Sequence, residues 1–187
     1  EIPAVITVHN ASDIVDRYTI QAVGLPAGWV RQMGVVALLP GESDQVTLVV
    51  QPPAGTEAGY YAFSVRATSE QNPAEQTSVA ASLEIQERGE YHLRLEPAEI
   101  RLSISGQMKL VVVNTGNAPL VVDLAASDPL GKVFLVVQPP AFHLAPHSEG
   151  MALLEVRLGQ PPTVAQSIPF TVTATPRESS QAPQSIE

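Results

Sequence analysis

Apolar and polar residues alternate along most of this chain with a period of two. Ile6 and Val8 share one face of a segment that places Thr7 on the other. The pattern continues through Tyr18, Ile20 and Ala22, then Val46, Leu48 and Val50. Tyr61, Phe63, Val65 and Ala67 follow, then Val79, Ala81, Leu83 and Ile85. Thr19, Gln21, Thr47, Ser64 and Arg66 fill the opposite positions. A period of two marks a half-buried β-strand, because successive Cβ atoms point to opposite sides of the pleat. Turn signals bound these runs: Asn10-Ala-Ser-Asp, Leu25-Pro-Ala-Gly, Pro40-Gly, Pro52-Pro-Ala-Gly and Asn72-Pro. No stretch of helical length shows a 3.6-residue period.

The pattern occurs twice. Val5-Ile-Thr-Val-His-Asn10 lies over Lys109-Leu-Val-Val-Val-Asn114, a shift of 104. Leu38-Leu-Pro40-Gly-Glu-Ser lies over Leu144-Ala-Pro146-His-Ser-Glu with Pro40 and Pro146 separated by 106, and the run beginning at Tyr61 lies over that beginning at Ile168, a shift of 107. Three blocks in one order with a slowly drifting offset indicate a duplication. They predict one domain over residues 1–88 and another over 89–187, joined near Gln86-Glu-Arg-Gly-Glu90. Short strands at this spacing predict an all-β fold: two tandem Ig-like (fibronectin type III-like) antiparallel β-sandwiches.

The second copy opens with two extra alternating segments, 91–95 and 100–104, both expected to be strands. Nothing in the first copy corresponds to them. Conversely, Val79 shifted by 107 falls on Ile186, so the last strand is due there, and residues 177–187 read as a polar loop. The chain is therefore expected to be a piece of a longer one. Its first domain would lack a first strand and its second a last strand, leaving sheet edges open to another chain. Irregular ends standing in for those strands are the alternative.

Composition sharpens this picture. Of 187 residues, 23 are Val, 9 Ile and 11 Thr, with 17 Pro and 12 Gly, which favours strands and turns over helices. Aromatics make up only 5%, so the core must be aliphatic. Cysteine is absent, which excludes disulfides and thiolate chemistry. A formal charge of −9 without any basic run argues against nucleic acid as a partner. No run of 18 apolar residues is present, so no membrane insertion is expected in this segment.

Val8-His-Asn10-Ala-Ser-Asp13, Leu25-Pro-Ala-Gly-Trp29, Leu39-Pro-Gly-Glu-Ser43 and the Pro52-Pro-Ala-Gly run leading into Tyr61 together resemble the Ig-like repeat associated with bacterial alpha-galactosidases and many bacterial surface proteins. The resemblance covers almost all of residues 5–86. Val113-Asn-Thr-Gly-Asn-Ala-Pro119 repeats its opening motif, but the second copy has no Trp matching Trp29 and has Pro146-His where the first has Pro40-Gly. The resemblance implies a structural role for these residues and carries no catalytic residue with it. It implies a non-catalytic spacer, scaffold or protein-interaction module of a larger bacterial protein, outside the cell or in its envelope. A cytoplasmic scaffold is the alternative setting. Other domains of the same polypeptide, or protein partners, would be its contacts.

The candidate chemistry is sparse. Gly28, Gly41, Gly55 and Gly59 sit where tight turns need unusual dihedrals, and Asn10 and Asn114 end strands where a side-chain amide can satisfy loop backbone. Tyr61 faces inward at a strand start, as a tyrosine corner does. Trp29 and Tyr60 are the residues for stacking on a sugar, which would make the chain a carbohydrate-binding accessory module of a glycoside hydrolase. Glu87 and Glu90 flank the junction, where Ca²⁺ would stiffen an adhesion stalk; Asp13 with Asp16 and Glu42 with Asp44 are further oxygen pairs. His143 and His147, with Glu149 nearby, form the only metal-like spacing, and Pro146 removes the helix that would align them. Asn10-Ala-Ser12 matches a glycosylation sequon. No hydrolase elbow, zinc-protease motif or phosphate loop is present, so no enzyme activity and no cofactor are expected.

Overall fold

The computed structural model describes residues 1–31, 34–160, 164, 166–177 and 181–186. Among these it contains β-strands and no helix. The chain divides into two compact units, Glu1–Gln86 and Glu87–Glu187.

The first unit contains β1 (Ile2–His9), β2 (Asp16–Val23), β3 (Gly34–Leu38), β4 (Ser43–Val50), β5 (Gly59–Ser69) and β6 (Gln76–Ile85). One sheet has the order β3-β2-β5-β6, and the other consists of β1 and β4, all antiparallel. The alternation read from the sequence is the one that folds. Ile6 lies opposite Val46, Ile20 opposite Ala67, and Val65 opposite Val79, so each inward set meets another. Val8, Ile20, Val36, Leu38, Val46, Leu48 and Val65 form one buried cluster, while Trp29, Val50 and Leu83 form a second. Gly34 opens β3 on the inward face because a Cβ there would collide with Cγ1 of Val46.

The second unit contains β7 (Tyr91–Glu96), β8 (Ser105–Asn114), β9 (Leu120–Ser127), β10 (Val133–Gln138), β11 (Ala141–Leu144), β12 (Glu149–Leu158), β13 (Thr171–Pro176) and β14 (Gln184–Ile186). Its sheets run β11-β9-β13-β14 and β10-β12-β8-β7. Here one cluster of fourteen buried residues, centred on Leu110, Val122, Leu154 and Val172, fills the space between the sheets.

The duplication extends to the register. Val65 pairs with Val79, and Val172 with Ile186, each partner displaced by 107. Tyr18 pairs with Val36, and Val122 with Phe142, displaced by 104 and 106. Two expectations are corrected. Residues 100–104 are not a strand, because β8 already has β7 on one edge and β12 on the other, so no ladder remains for them. Ile100 and Leu102 instead pack against the core beside Gly106, where a Cβ would strike both side chains. The tail is not wholly a loop: Gln184–Ile186 pairs with β13 in the register in which β6 pairs with β5. Residues 178–180 and 187 of that tail lie outside the described residues.

Each unit ties its loops through one asparagine. Asn10 is fully buried at the end of β1, and its Nδ2 donates to the carbonyls of Ile14 at 2.9 Å and Leu38 at 3.1 Å. Its Oδ1 accepts from the Ser12 N–H at 3.0 Å. Asn114 repeats this, donating to Ala118 O at 2.9 Å and Ala145 O at 3.0 Å and accepting from the Gly116 N–H at 3.0 Å. The Asn10 side chain is thus spent within the fold rather than offered at the surface as a sequon. Gly28, Gly41, Gly55 and Gly59 all have positive φ. His147, at the position of Gly41, takes φ 54° and keeps the left-handed turn without a glycine.

Replacing Asn114 with Ala would take the side-chain donor from Ala118 O, while Ala145 O keeps the Ser148 hydroxyl at 2.7 Å. We expect a loss of about 1–3 kcal/mol, read by urea unfolding, with Asn114→Asp recovering little because a carboxylate cannot donate.

Candidate functional site

In the first unit a groove lies on the side of β1 away from β4. Among the described residues, no strand pairs with β1 on that edge. The inward faces of β5 and β6 continue beneath it and leave a groove of about 930 Å³. Ile6 and Val8 form one wall, with Phe63, Val65, Val79 and Ala81 on the floor. Val79 points to the inside of the sandwich yet is 64% exposed. Its counterpart Ile186 is half-buried against the core of the second unit. The rim is polar, with Ser12, Ser69, Glu75 and Gln76. An apolar floor beside an open strand edge suits an extended chain, whose side chains can enter the groove while its backbone meets β1.

At the other end of the same sandwich, Trp29 is only 6% exposed. It packs with Val50 and Leu83, and its ring centroid lies 4.8 Å from that of Tyr61 at a tilt of 56°. The Tyr61 hydroxyl donates to the carbonyl of Glu57 at 2.9 Å, four residues back. This is the tyrosine-corner geometry that the sequence suggested.

Residues 8–70 match the family model described as the NPCBM-associated, NEW3 domain of alpha-galactosidase. The resemblance read from the motifs holds for the first unit. The matched segment includes Asn10, Trp29, Pro40-Gly41 and Tyr61, the residues just described as ties, plugs and turns. No curated protein matches the chain. Among solved structures, a protein of unknown function from Porphyromonas gingivalis W83 aligns over 100% of this chain and 90% of its own at 16% identity and TM-score 0.35. The CupB2 chaperone of Pseudomonas aeruginosa aligns over 100% and 91% at 10% identity and TM-score 0.36. CBD12 from CALX1.2 aligns over 95% and 75% at 14% identity and TM-score 0.37. At these TM-scores the likenesses add nothing to the fold read directly from the strands.

In this NEW3-matching unit the two candidate stacking aromatics are not brought together. Trp29 is a buried plug, whereas Tyr60 is 75% exposed on the outward face of β5, with its hydroxyl donating to Glu84 Oε1 at 3.0 Å. The proposed acidic pairs serve backbone. Glu42 Oε2 accepts from the Leu39 N–H at 3.1 Å, and Asp44 Oδ1 from the Gln45 N–H at 2.7 Å. Glu87 and Glu90 are both exposed, and Glu90 lies 3.8 Å from His92 Nε2. The carbonyl of Glu90 accepts from Thr115 and Gly116, both at 2.9 Å, which pins this segment to the Asn114 turn. His143 and His147 are exposed on β11 and the turn after it. Among the described residues, no three His, Asp or Glu side chains gather to hold a metal.

One polar site escaped the sequence reading. Sequence spacing offers Asp16 only as an oxygen pair with Asp13, but it is buried and accepts the Ser69 hydroxyl at 2.6 Å, on the rim of the groove. Ser69 in turn accepts from the Asn72 N–H at 2.9 Å. The two residues lie 53 apart in sequence, so only the β2–β5 pairing brings them together. The Ser69 hydrogen bond, reinforced by the N–H groups of Arg17 and Gln71, lowers the Asp16 pKa below its ordinary 3.8 despite the opposing effect of burial. Asp123 is lowered too, chiefly by its hydrogen bond from Arg177. At Asp128 burial works in the opposite direction, and backbone N–H groups from Leu130 to Val133 outweigh it.

Two measurements check these placements. Trp29→Ala is expected to destabilise the first unit by about 3–5 kcal/mol, while Tyr60→Ala stays within about 0.5 kcal/mol, both by denaturant unfolding. A lowered folded pKa means that the unfolded state binds protons first as pH falls. Stability is therefore intact above the ordinary carboxylate range and is lost below about pH 4. Asp16→Asn should lower the thermal midpoint at pH 7, and its difference from the parent should shrink as the pH is taken through that window.

Proposed function

We propose that this chain is a non-catalytic module of a larger bacterial protein, made of two Ig-like units and acting as a scaffold that docks other polypeptide. The match of residues 8–70 to a domain named for its association with alpha-galactosidase carries this reading. That association supports an accessory role and, through it, an extracellular or cell-envelope setting. The acidity of the chain, at −9, favours solubility and repels anionic surfaces.

Thermal unfolding against EDTA, Ca²⁺, Zn²⁺ and soluble polysaccharides tests the role, with an aryl α-galactoside assay beside it. The expected result is no turnover and no shift of the midpoint. A ligand of the folded state present at a hundredfold excess over its Kd would add about 2.7 kcal/mol of stability. Such a shift with one polysaccharide would replace the scaffold with a carbohydrate-binding module, and one with Ca²⁺ would favour a stiffened stalk.

A further inference from the structure

In the second unit the sheet β10-β12-β8-β7 ends on an unguarded strand. β10 reads Val133-Phe-Leu-Val-Val-Gln138, with no charge, glycine or proline along it. β12 pairs with one side of β10, and among the described residues no strand pairs with the other. The chain does not enter or leave the unit there. β7 is the opposite edge of the same sheet, and β14 lies beside β7, where Gln184 Nε2 donates to Tyr91 O at 2.7 Å. Exposed sheet edges usually carry a lysine, a proline or a bulge that keeps other chains away. At the corresponding place in the first unit, Val50 meets Val30 in an isolated bridge, and the charged Arg31 follows.

The β10 edge is complementary to itself. Lys132 O accepts from the Gly159 N–H at 2.8 Å, in line with the β12 ladder. Backbone groups alternate in direction along an antiparallel strand, so Phe134 and Val136 turn theirs to β12, while Leu135 and Val137 turn theirs to the open edge. The Val133 N–H is held by Asp128 Oδ2 at 2.9 Å, which leaves its carbonyl for that edge. The side chains of Val133, Leu135 and Val137 pack against the core, while Phe134 and Val136 are exposed on the outward face. We propose that β10 pairs antiparallel with β10 of a second copy of this chain, about a two-fold axis at Leu135. In that register Leu135 meets Leu135, Val133 meets Val137 and Phe134 meets Val136, so every cross-strand pair is apolar. Arg157 stands beyond Phe134, and Glu155 beyond Val136. Each outward row of the joined sheet then runs Arg157, Phe134, Val136, Glu155 and ends in opposite charges. An axis at Phe134 or Val136 would instead place Arg157 or Glu155 at both ends of one row. Larger shifts would run the ladder onto Pro139, which has no N–H, or onto the turn closed by Asp128. A two-fold pairing of this kind uses up the edge and closes at two chains. A ladder of this length is small beside the roughly 1,600 Å² of a standard interface, so the dimer is weak and depends on concentration. The inference goes beyond the module reading and does not rest on it.

Sedimentation of the whole chain over a wide concentration range tests this pairing. The weight-average mass should rise from that of one chain toward that of two and stop there. Phe134→Glu, beside Arg157, and Val136→Lys, beside Glu155, alter exposed side chains and should leave thermal unfolding unchanged. Each spoils two cross-strand pairs in the dimer, so association should weaken about tenfold. The two variants mixed in equal amounts should recover it, because the new carboxylate at position 134 of one copy faces the new ammonium at position 136 of the other. Met151→Lys alters an exposed side chain on the outward face of β12, beyond the end of β10, and should leave association unchanged. A one-chain mass at every concentration, assemblies growing past two chains, or association indifferent to Phe134→Glu and Val136→Lys would overturn the proposal. So would a mixture no stronger than its components. Loss of association in Met151→Lys would overturn it in favour of sheets meeting face to face.

Discussion

Everything at one end of each sandwich hangs on a buried carboxamide. A loop that leaves a strand and turns across the end of a sandwich carries backbone groups away from both water and a ladder. Asn10 and Asn114 resolve this with four hydrogen-bonding positions on one short side chain. Two N–H groups hold carbonyls from separate loops, and the oxygen holds the chain that follows. No apolar residue could do so, and no charged one could remain there without a partner. The same bonds recur in both units although the surrounding loops differ, which marks them as the constraint around which the strands were free to diverge.

With the loops fixed, the aliphatic alternation decides the rest. The chain has too few aromatics to fill wide gaps, so its core is built mainly from Leu, Val and Ile meeting across close sheets. Gly34 facing Val46 shows how close that approach is. The single Trp is placed where the strands no longer suffice, against Val50 and Leu83, and Tyr61 holds it in place. Among the described residues, the side of β1 away from β4 has no paired strand and borders an apolar groove.

Much of this was legible in the sequence, because strand faces and turn glycines are local. A period of two names the inward residue whatever lies across from it, and the positive φ of Gly41 follows from the turn alone. The duplication was legible because its motifs are contiguous. What failed or was missed depends on pairing. Residues 100–104 alternate as a strand does, yet become a cover, because β8 has no free edge to offer them. Asp16 looked like one acid among many until β2 and β5 brought Ser69 to it across 53 positions.

The unequal cores have a consequence for any bulk measurement. Among the described residues, the second unit is consolidated by one cluster of fourteen buried residues, whereas the first divides its apolar interior into clusters of seven and three. Two bodies with different interiors in one chain do not share a single cooperative transition. A lone melting temperature would then be an average belonging to neither. The smaller clusters described in the first unit are expected to give way at a lower temperature than the single cluster of the second.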